Sequence, residues 1–261
     1  MIRNILFLTI FALLAVACAS AETPTPATVT EEVAGGSGAA TQATAPTNTP
    51  VPPTEAAVAQ TTATSTPEAD PRVELGSPTW RAAFGKDTEQ TWFQFDDEQA
   101  KVEMKPDELV LTAHQANSSD VWSMSYPVLT NFYLEYTVTI GEACSGKDRY
   151  GPIVRAPDNN QGYLYQISCD GMFQLRSWDG EEFSELIEWT PSEHIFQGPD
   201  PSHRLGFMAE GNLLSVYING FLLGEIEDDA FDMGTFGISI AAADTPGFMV
   251  TMTEAVYWEL P

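Results

Sequence analysis

The chain has 261 residues and a formal net charge of −26, with 11 Lys and Arg against 37 Asp and Glu. So acidic a surface repels polyanions, which excludes nucleic acid and anionic lipid surfaces as natural partners. It leaves basic partners, cations and neutral sugars, or an acidic surface kept for solubility.

In chain order, the first element is an export signal over residues 1–17. Arg3 precedes an apolar run from Ile5 to Leu14, followed by Ala15-Val16-Ala17-Cys18. The run is shorter than the ~20 residues that a membrane-spanning helix needs, and small residues end it, as at a cleavage site. These residues resemble the bacterial lipoprotein signal, with Ala15 standing where leucine is commoner. The resemblance implies that Cys18 is acylated, becomes the new N-terminus and ties an extracytoplasmic protein to a bacterial membrane. Residues 18–71 then read as a disordered linker rich in Thr, Pro and Ala. From residue 19 on they hold no Lys, Arg or aromatic residue, so they cannot bury enough apolar surface to offset the entropy of ordering.

Residues 72–261 hold every Trp and Tyr and form a single expected domain, with 10 Lys and Arg against 31 Asp and Glu. Alternation with a period of two predicts strands at 109–112, 132–140, 162–168, 204–209, 213–218, 221–226, 235–241 and 249–258. Turn signals separate them. Asn219-Gly220 predicts a tight hairpin, because both residues tolerate positive φ. A second hairpin joins 162–168 to 172–178. A three-residue turn with Gly171 left-handed puts Tyr163, Tyr165, Ile167, Phe173 and Leu175 on one apolar face. Leu164, Gln166, Gln174, Arg176 and Trp178 then share the other face, which is expected to be open to solvent or a ligand.

Gly151-Pro152-Ile153-Val154-Arg155, Gly162-Tyr163-Leu164-Tyr165-Gln166-Ile167 and Asp170-Gly171 carry a family resemblance. So do Arg204-Leu205 through Asn219-Gly220 and Phe231 through Ile238. This pattern resembles the concanavalin-A-like jelly rolls, and within them the laminin-G-like and 3-keto-disaccharide-hydrolase-type domains. The resemblance implies an all-β, two-sheet antiparallel jelly-roll sandwich whose concave face often holds sugars.

Cys144 and Cys169 are the remaining cysteines. In an oxidising compartment, with a meander bringing two strand ends to one rim, they are expected to form a disulfide. Asp96-Asp97-Glu98 and Asp228-Asp229 are candidate calcium ligands, although they lack the spacing and glycine of a calcium loop. His114, His194 and His203 show no metal-ligand spacing.

Arg155, Gln166, Gln174, Arg176 and Trp178 form the expected ligand platform. Guanidinium and amide groups hydrogen-bond sugar hydroxyls, and an indole stacks on a pyranose. The expected function is a non-catalytic carbohydrate- or glycoconjugate-binding module, expected to be monomeric. A protein-interaction or structural surface domain is the alternative, with a surface protein as partner in place of a polysaccharide. A glycoside hydrolase is the third reading. It needs two carboxylates, one with a raised pKa, and the chain lacks the Glu-x-Asp-x-x-Glu strand motif of jelly-roll glucanases. The keto-sugar hydrolase resemblance would put an acid near Leu164, and leucine cannot transfer a proton.

Overall fold

The computed structural model describes residues 70–82, 84, 92–197 and 201–261. The expected signal, Cys18 and all but the last two residues of the expected linker lie outside them. The described residues belong to one unit, Thr61–Pro261. Among them no helix is long and apolar enough to cross a membrane.

After a one-turn helix, α1 (Pro71–Leu75), the chain forms β1 (Trp80–Arg81), β2 (Phe95–Asp96), β3 (Ala100–Lys105), β4 (Glu108–Ala113) and β5 (Val121–Leu129). It continues through β6 (Phe132–Ile140), β7 (Arg149–Ala156), β8 (Gly162–Ser168), β9 (Met172–Trp178) and β10 (Phe183–Pro191). The last strands are β11 (Ser202–Glu210), β12 (Leu213–Ile218), β13 (Phe221–Glu227), β14 (Gly234–Ala241) and β15 (Phe248–Glu259). Two antiparallel sheets result. One has nine strands in the order β13-β12-β11-β6-β15-β4-β3-β2, with β1 also pairing β15. The other has six, in the order β10-β9-β8-β7-β14-β5.

Alternation builds the core. On β6, Phe132, Leu134, Tyr136, Val138 and Ile140 face inward against Tyr163, Tyr165 and Ile167 of β8 and Phe236, Ile238 and Ile240 of β14. The β8–β9 register pairs Ile167 with Phe173, Gln166 with Gln174 and Leu164 with Arg176. The connection is therefore the three-residue turn, with Gly171 at φ 79°. The other hairpin turns at Asn219 and Gly220, with φ 53° and 86°, the left-handed pair that a type I′ turn requires.

Cys144 and Cys169 are disulfide-bonded, with Cα atoms 5.6 Å apart. The geometry behind the bond differs from the single-sheet meander expected from sequence. Cys144 follows β6 of the nine-stranded sheet and Cys169 follows β8 of the six-stranded sheet. The bond thus ties loops of opposite sheets and closes a loop with a sequence separation of 25. Replacing both cysteines by serine is expected to lower the unfolding free energy by about 3 kcal/mol, measured by urea denaturation.

The segment from Asp70 to Gly76 lies across the outer face of the nine-stranded sheet. Asp70 caps α1 by accepting from the Arg72 amide at 3.1 Å. Its other oxygen accepts from Arg204 at 2.6 Å. Arg72 reaches Glu135 at 2.5 Å and Glu254 at 2.7 Å, and Glu254 also pairs with Arg81. Glu135 is fully buried and accepts from the Tyr133 hydroxyl at 2.8 Å. Leu75 packs beside Tyr133, Tyr217 and Trp258 on the same face.

Candidate functional site on the outer face of the six-stranded sheet

The outward residues of the six-stranded sheet divide into a polar half and an apolar half. Asp120, just before β5, is the hub of the polar half. Arg149 donates to it twice, at 2.9 and 2.8 Å, and Arg176 donates at 2.9 Å. The Gln166 amide donates to it at 2.8 Å and to Ser239 at 3.0 Å. The Gln166 carbonyl oxygen in turn accepts from Gln174 at 3.0 Å and Arg176 at 2.7 Å. Burial alone would push the Asp120 carboxyl up. The hydrogen bonds and charge of Arg149, the charge of Arg176 and the Gln166 amide outweigh it and hold the group below its usual value.

Beside this network lies an apolar layer of Met124, Ile153 and Leu164, against which Trp122, Trp178 and Phe183 pack. The Arg176 guanidinium sits 4.0 Å over the Phe183 ring. The Trp178 and Phe183 centroids are 4.5 Å apart.

Four of the five expected platform residues therefore meet on one face, but not as an open surface. Gln166 and Gln174 are 0% and 2% exposed, and Arg176 is 8% exposed. Gln166, Gln174 and Arg176 bond one another, and Gln166 and Arg176 bond Asp120, a group the strand pattern alone did not bring to them, while Arg176 Nε has no partner among the described residues. They lie within the face, with little of their surface open to solvent. Trp178 is half-buried, and its indole N–H has no acceptor among the described residues.

Arg155 lies elsewhere. It sits at φ 48°, beside an irregular stretch of the β7–β14 ladder, where strict alternation fails. Its guanidinium donates to the carbonyls of Thr130, at 3.1 and 2.7 Å, and Phe231, at 3.2 Å. It is a buried clamp on two connections, and it leaves the platform.

The accessible part of the face lies along β5. A cleft of 520 Å³ is lined by Phe93, Trp122, Met124, Ser125, Tyr126, Asn159 and Thr235. A second, of 410 Å³, is lined by Phe93, Phe95, Asp97, Asp120, Val121 and Trp122. Phe93 and Trp122 belong to both. Phe93 is 64% exposed, yet its backbone is stapled to β5. Its amide donates to Met124 O at 3.1 Å, and its carbonyl accepts from the Ser123 hydroxyl at 2.7 Å. Trp122 is fixed by its indole N–H, which donates to Asn159 O at 2.9 Å.

Neither acidic run assembles a metal site. Asp97 accepts the amides of Gln99 and Ala100, and Asp228 accepts the Tyr163 hydroxyl and the Ala230 amide. Among the described residues, no three His, Cys, Asp or Glu side chains are grouped to hold a metal ion.

No protein-family model matches the sequence, and no curated protein matches it. Solved structures do match. The chain is similar to a Bacillus licheniformis beta-glucanase at 8% identity, over 71% of this chain and 100% of that one, with a TM-score of 0.51. It is similar to a native glycosidic hydrolase at 11% identity, over 70% and 96% of the two chains, with a TM-score of 0.50. A carbohydrate-binding module, CBM66 of Bacillus subtilis, aligns at 17% identity over 65% and 88%, with a TM-score of 0.42. At these identities the likeness speaks for the fold alone, and for neither the laminin-G-like nor the 3-keto-disaccharide-hydrolase-type subclass. The described chain is an all-β, two-sheet antiparallel sandwich with the concanavalin-A-like jelly-roll fold.

Proposed function

We propose that this protein is an extracytoplasmic lipoprotein, anchored to a bacterial membrane through Cys18, that displays a non-catalytic carbohydrate-binding module. The observation that carries the reading is the pair of clefts sharing Phe93 and Trp122. Exposed aromatic rings that line one continuous surface mark binding sites, and here the backbone around them is fixed by hydrogen bonds. The Asp120 carboxylate behind them is fully engaged by Arg149, Arg176 and Gln166, which helps fix the face before a ligand arrives. Such preorganisation lowers the entropy cost of binding.

Two features argue against hydrolysis. A glycosidase needs one carboxyl with a raised pKa to protonate the leaving group. Asp120 is held low by its arginines despite burial, and Asp97 is held low by the Ala100 and Gln99 amides. Both carboxyls lining the cleft are thus ionised in the neutral range and unfit as general acids.

The test is a glycan array probed with the full-length protein, followed by calorimetry on any hit. Trp122→Ala is expected to weaken binding at least about tenfold, because base- or sugar-type stacking on an aromatic ring and the apolar area it covers are each worth on the order of 1 kcal/mol or more. Its melting temperature should change little, since the ring is only half-buried. Absence of any glycan binding would sink the reading. Release of reducing ends from a bound polysaccharide would replace the binding module with a hydrolase.

A further inference from the structure

The second cleft has a composition that plain sugar stacking does not require. Three aromatic rings and two carboxylates line 410 Å³: Phe93, Phe95 and Trp122 with Asp97 and Asp120. Phe93 and Phe95 lie with centroids 5.7 Å apart and planes 33° from each other. Asp97 accepts both of its backbone hydrogen bonds on one oxygen, Oδ1. Its other carboxylate oxygen receives no hydrogen bond from the described residues and keeps its acceptor capacity.

Asp120 itself is engaged by arginines, which leaves Asp97 as the acceptor in the cleft. The Nε and Nη2 of Arg149, and the Nη2 of Arg176, are turned onto Asp120. The chain as a whole carries a net charge of −26. The electron-rich faces of aromatic rings attract cations, and a carboxylate beside them adds a directional acceptor. An acidic sugar would meet repulsion both at long range and at Asp97, and a neutral one would forgo the charge-assisted bond that an ammonium can make there.

We propose that this cleft holds a protonated amine and that the glycan is therefore one carrying free, non-acylated amino sugars. This rests on the carbohydrate reading above and narrows it to a basic polysaccharide. The segment from Trp92 to Asp97 makes the site possible. It leaves the edge of the six-stranded sheet at Phe93, where it is bonded to β5, and reaches the edge of the nine-stranded sheet at Phe95 in β2. The cleft thus sits on the side where the two sheet edges approach, with the ring of Trp122 shared between it and the larger apolar cleft. One sugar's amine can occupy the charged cleft while the next ring lies against Phe93 and Met124.

Three tetrasaccharides with one β-1,4 backbone separate the possibilities: glucosamine, N-acetylglucosamine and glucose oligomers, which carry ammonium, acetamide and hydroxyl at the same carbon. Calorimetry with the full-length protein at pH 6 is expected to show the glucosamine oligomer binding about tenfold more tightly than the other two. Asp97→Asn should remove that preference. Glu210→Gln, a charge removed from β11 in the other sheet, should leave it intact. Equal loss in the two variants would reduce the effect to general attraction of a cation by an acidic protein and overturn the proposal. Equal or tighter binding of the acetamide or hydroxyl oligomer would overturn it while the carbohydrate reading stands. Binding of a tetralysine peptide as tightly as the glucosamine oligomer would keep the ammonium site and overturn the carbohydrate reading. No binding of any of the four probes would overturn the ammonium proposal, and an empty glycan array would then remove the carbohydrate reading with it.

Discussion

Replacing Asp120 with alanine is expected to lower the unfolding free energy by about 3–5 kcal/mol at pH 7, the usual cost of removing one partner from a buried ion pair. The Asp120 side chain is 3% exposed, and its partners Arg176 and Arg149 are 10% and 17% exposed. Without the carboxylate, two guanidinium groups face each other with little water to replace it, and Gln166 loses the acceptor that orients it. Asp120→Asn keeps the shape and one acceptor oxygen but not the charge, so its loss should be smaller. The pH dependence carries a second signature. The folded pKa of Asp120 lies below the ordinary 3.8. Its contribution is therefore present above about pH 4 and disappears as the pH falls through the folded value. Urea denaturation at pH 7, 4 and 3 should show the alanine variant's deficit intact at pH 4 and shrinking at pH 3. A deficit that is absent at pH 7 would mean that the arginines find water or one another's partners, and that the network is not holding the face.

The elements that the sequence made legible are those where a single face decides the pattern. On β6 and β8 every inward residue is apolar, and the register of β8 on β9 followed from keeping Phe173 and Leu175 with Tyr163 and Tyr165. The alternation hid β5, because Ser123 and Ser125 are its inward residues and both are buried, while Trp122 and Met124 form the outer layer. The strand reads backwards. At β10, an edge strand with two irregularities against β9, the period breaks altogether. The site was half legible for the same reason. Gln166, Gln174 and Arg176 were placed together by register alone. Their partner Asp120 lies far away in sequence, just before β5, and Arg149, which pairs with Asp120, opens β7, so no local pattern connects them. The one signal available was that three polar side chains alternating beside a core-facing row need partners if the face is covered. Phe93 left no trace of its role, since a phenylalanine next to Trp92 reads as core, and only the hydrogen bonds to β5 turn its ring outward.

On the opposite sheet, Arg204→Ala should cost about 3 kcal/mol at pH 7, and its pH profile should differ from that of Asp120→Ala. Arg204 is the common partner of Asp70, 4% exposed, and Glu135, fully buried. Glu135 is surrounded by charges much as Asp120 is, yet its pKa moves the other way. Burial raises it, Arg204, Arg72 and the Tyr133 hydroxyl pull it back only in part, and Asp70 adds repulsion. A carboxyl whose folded pKa exceeds its unfolded value favours folding most below that unfolded value, 4.5 here, and loses that contribution as the pH rises through the folded pKa. Removing Arg204 raises the folded pKa further. The variant's deficit should therefore be largest at pH 7 and should already shrink on approaching pH 4.5, where the Asp120→Ala deficit is still whole. Because Asp70 and Arg72 bind the strap from Asp70 to Gly76 to this sheet, the same substitution should speed trypsin cleavage after Arg72 well before global unfolding. Unchanged cleavage with lowered stability would place the strap's hold in Leu75 and Glu254 instead of in the Arg204 cluster.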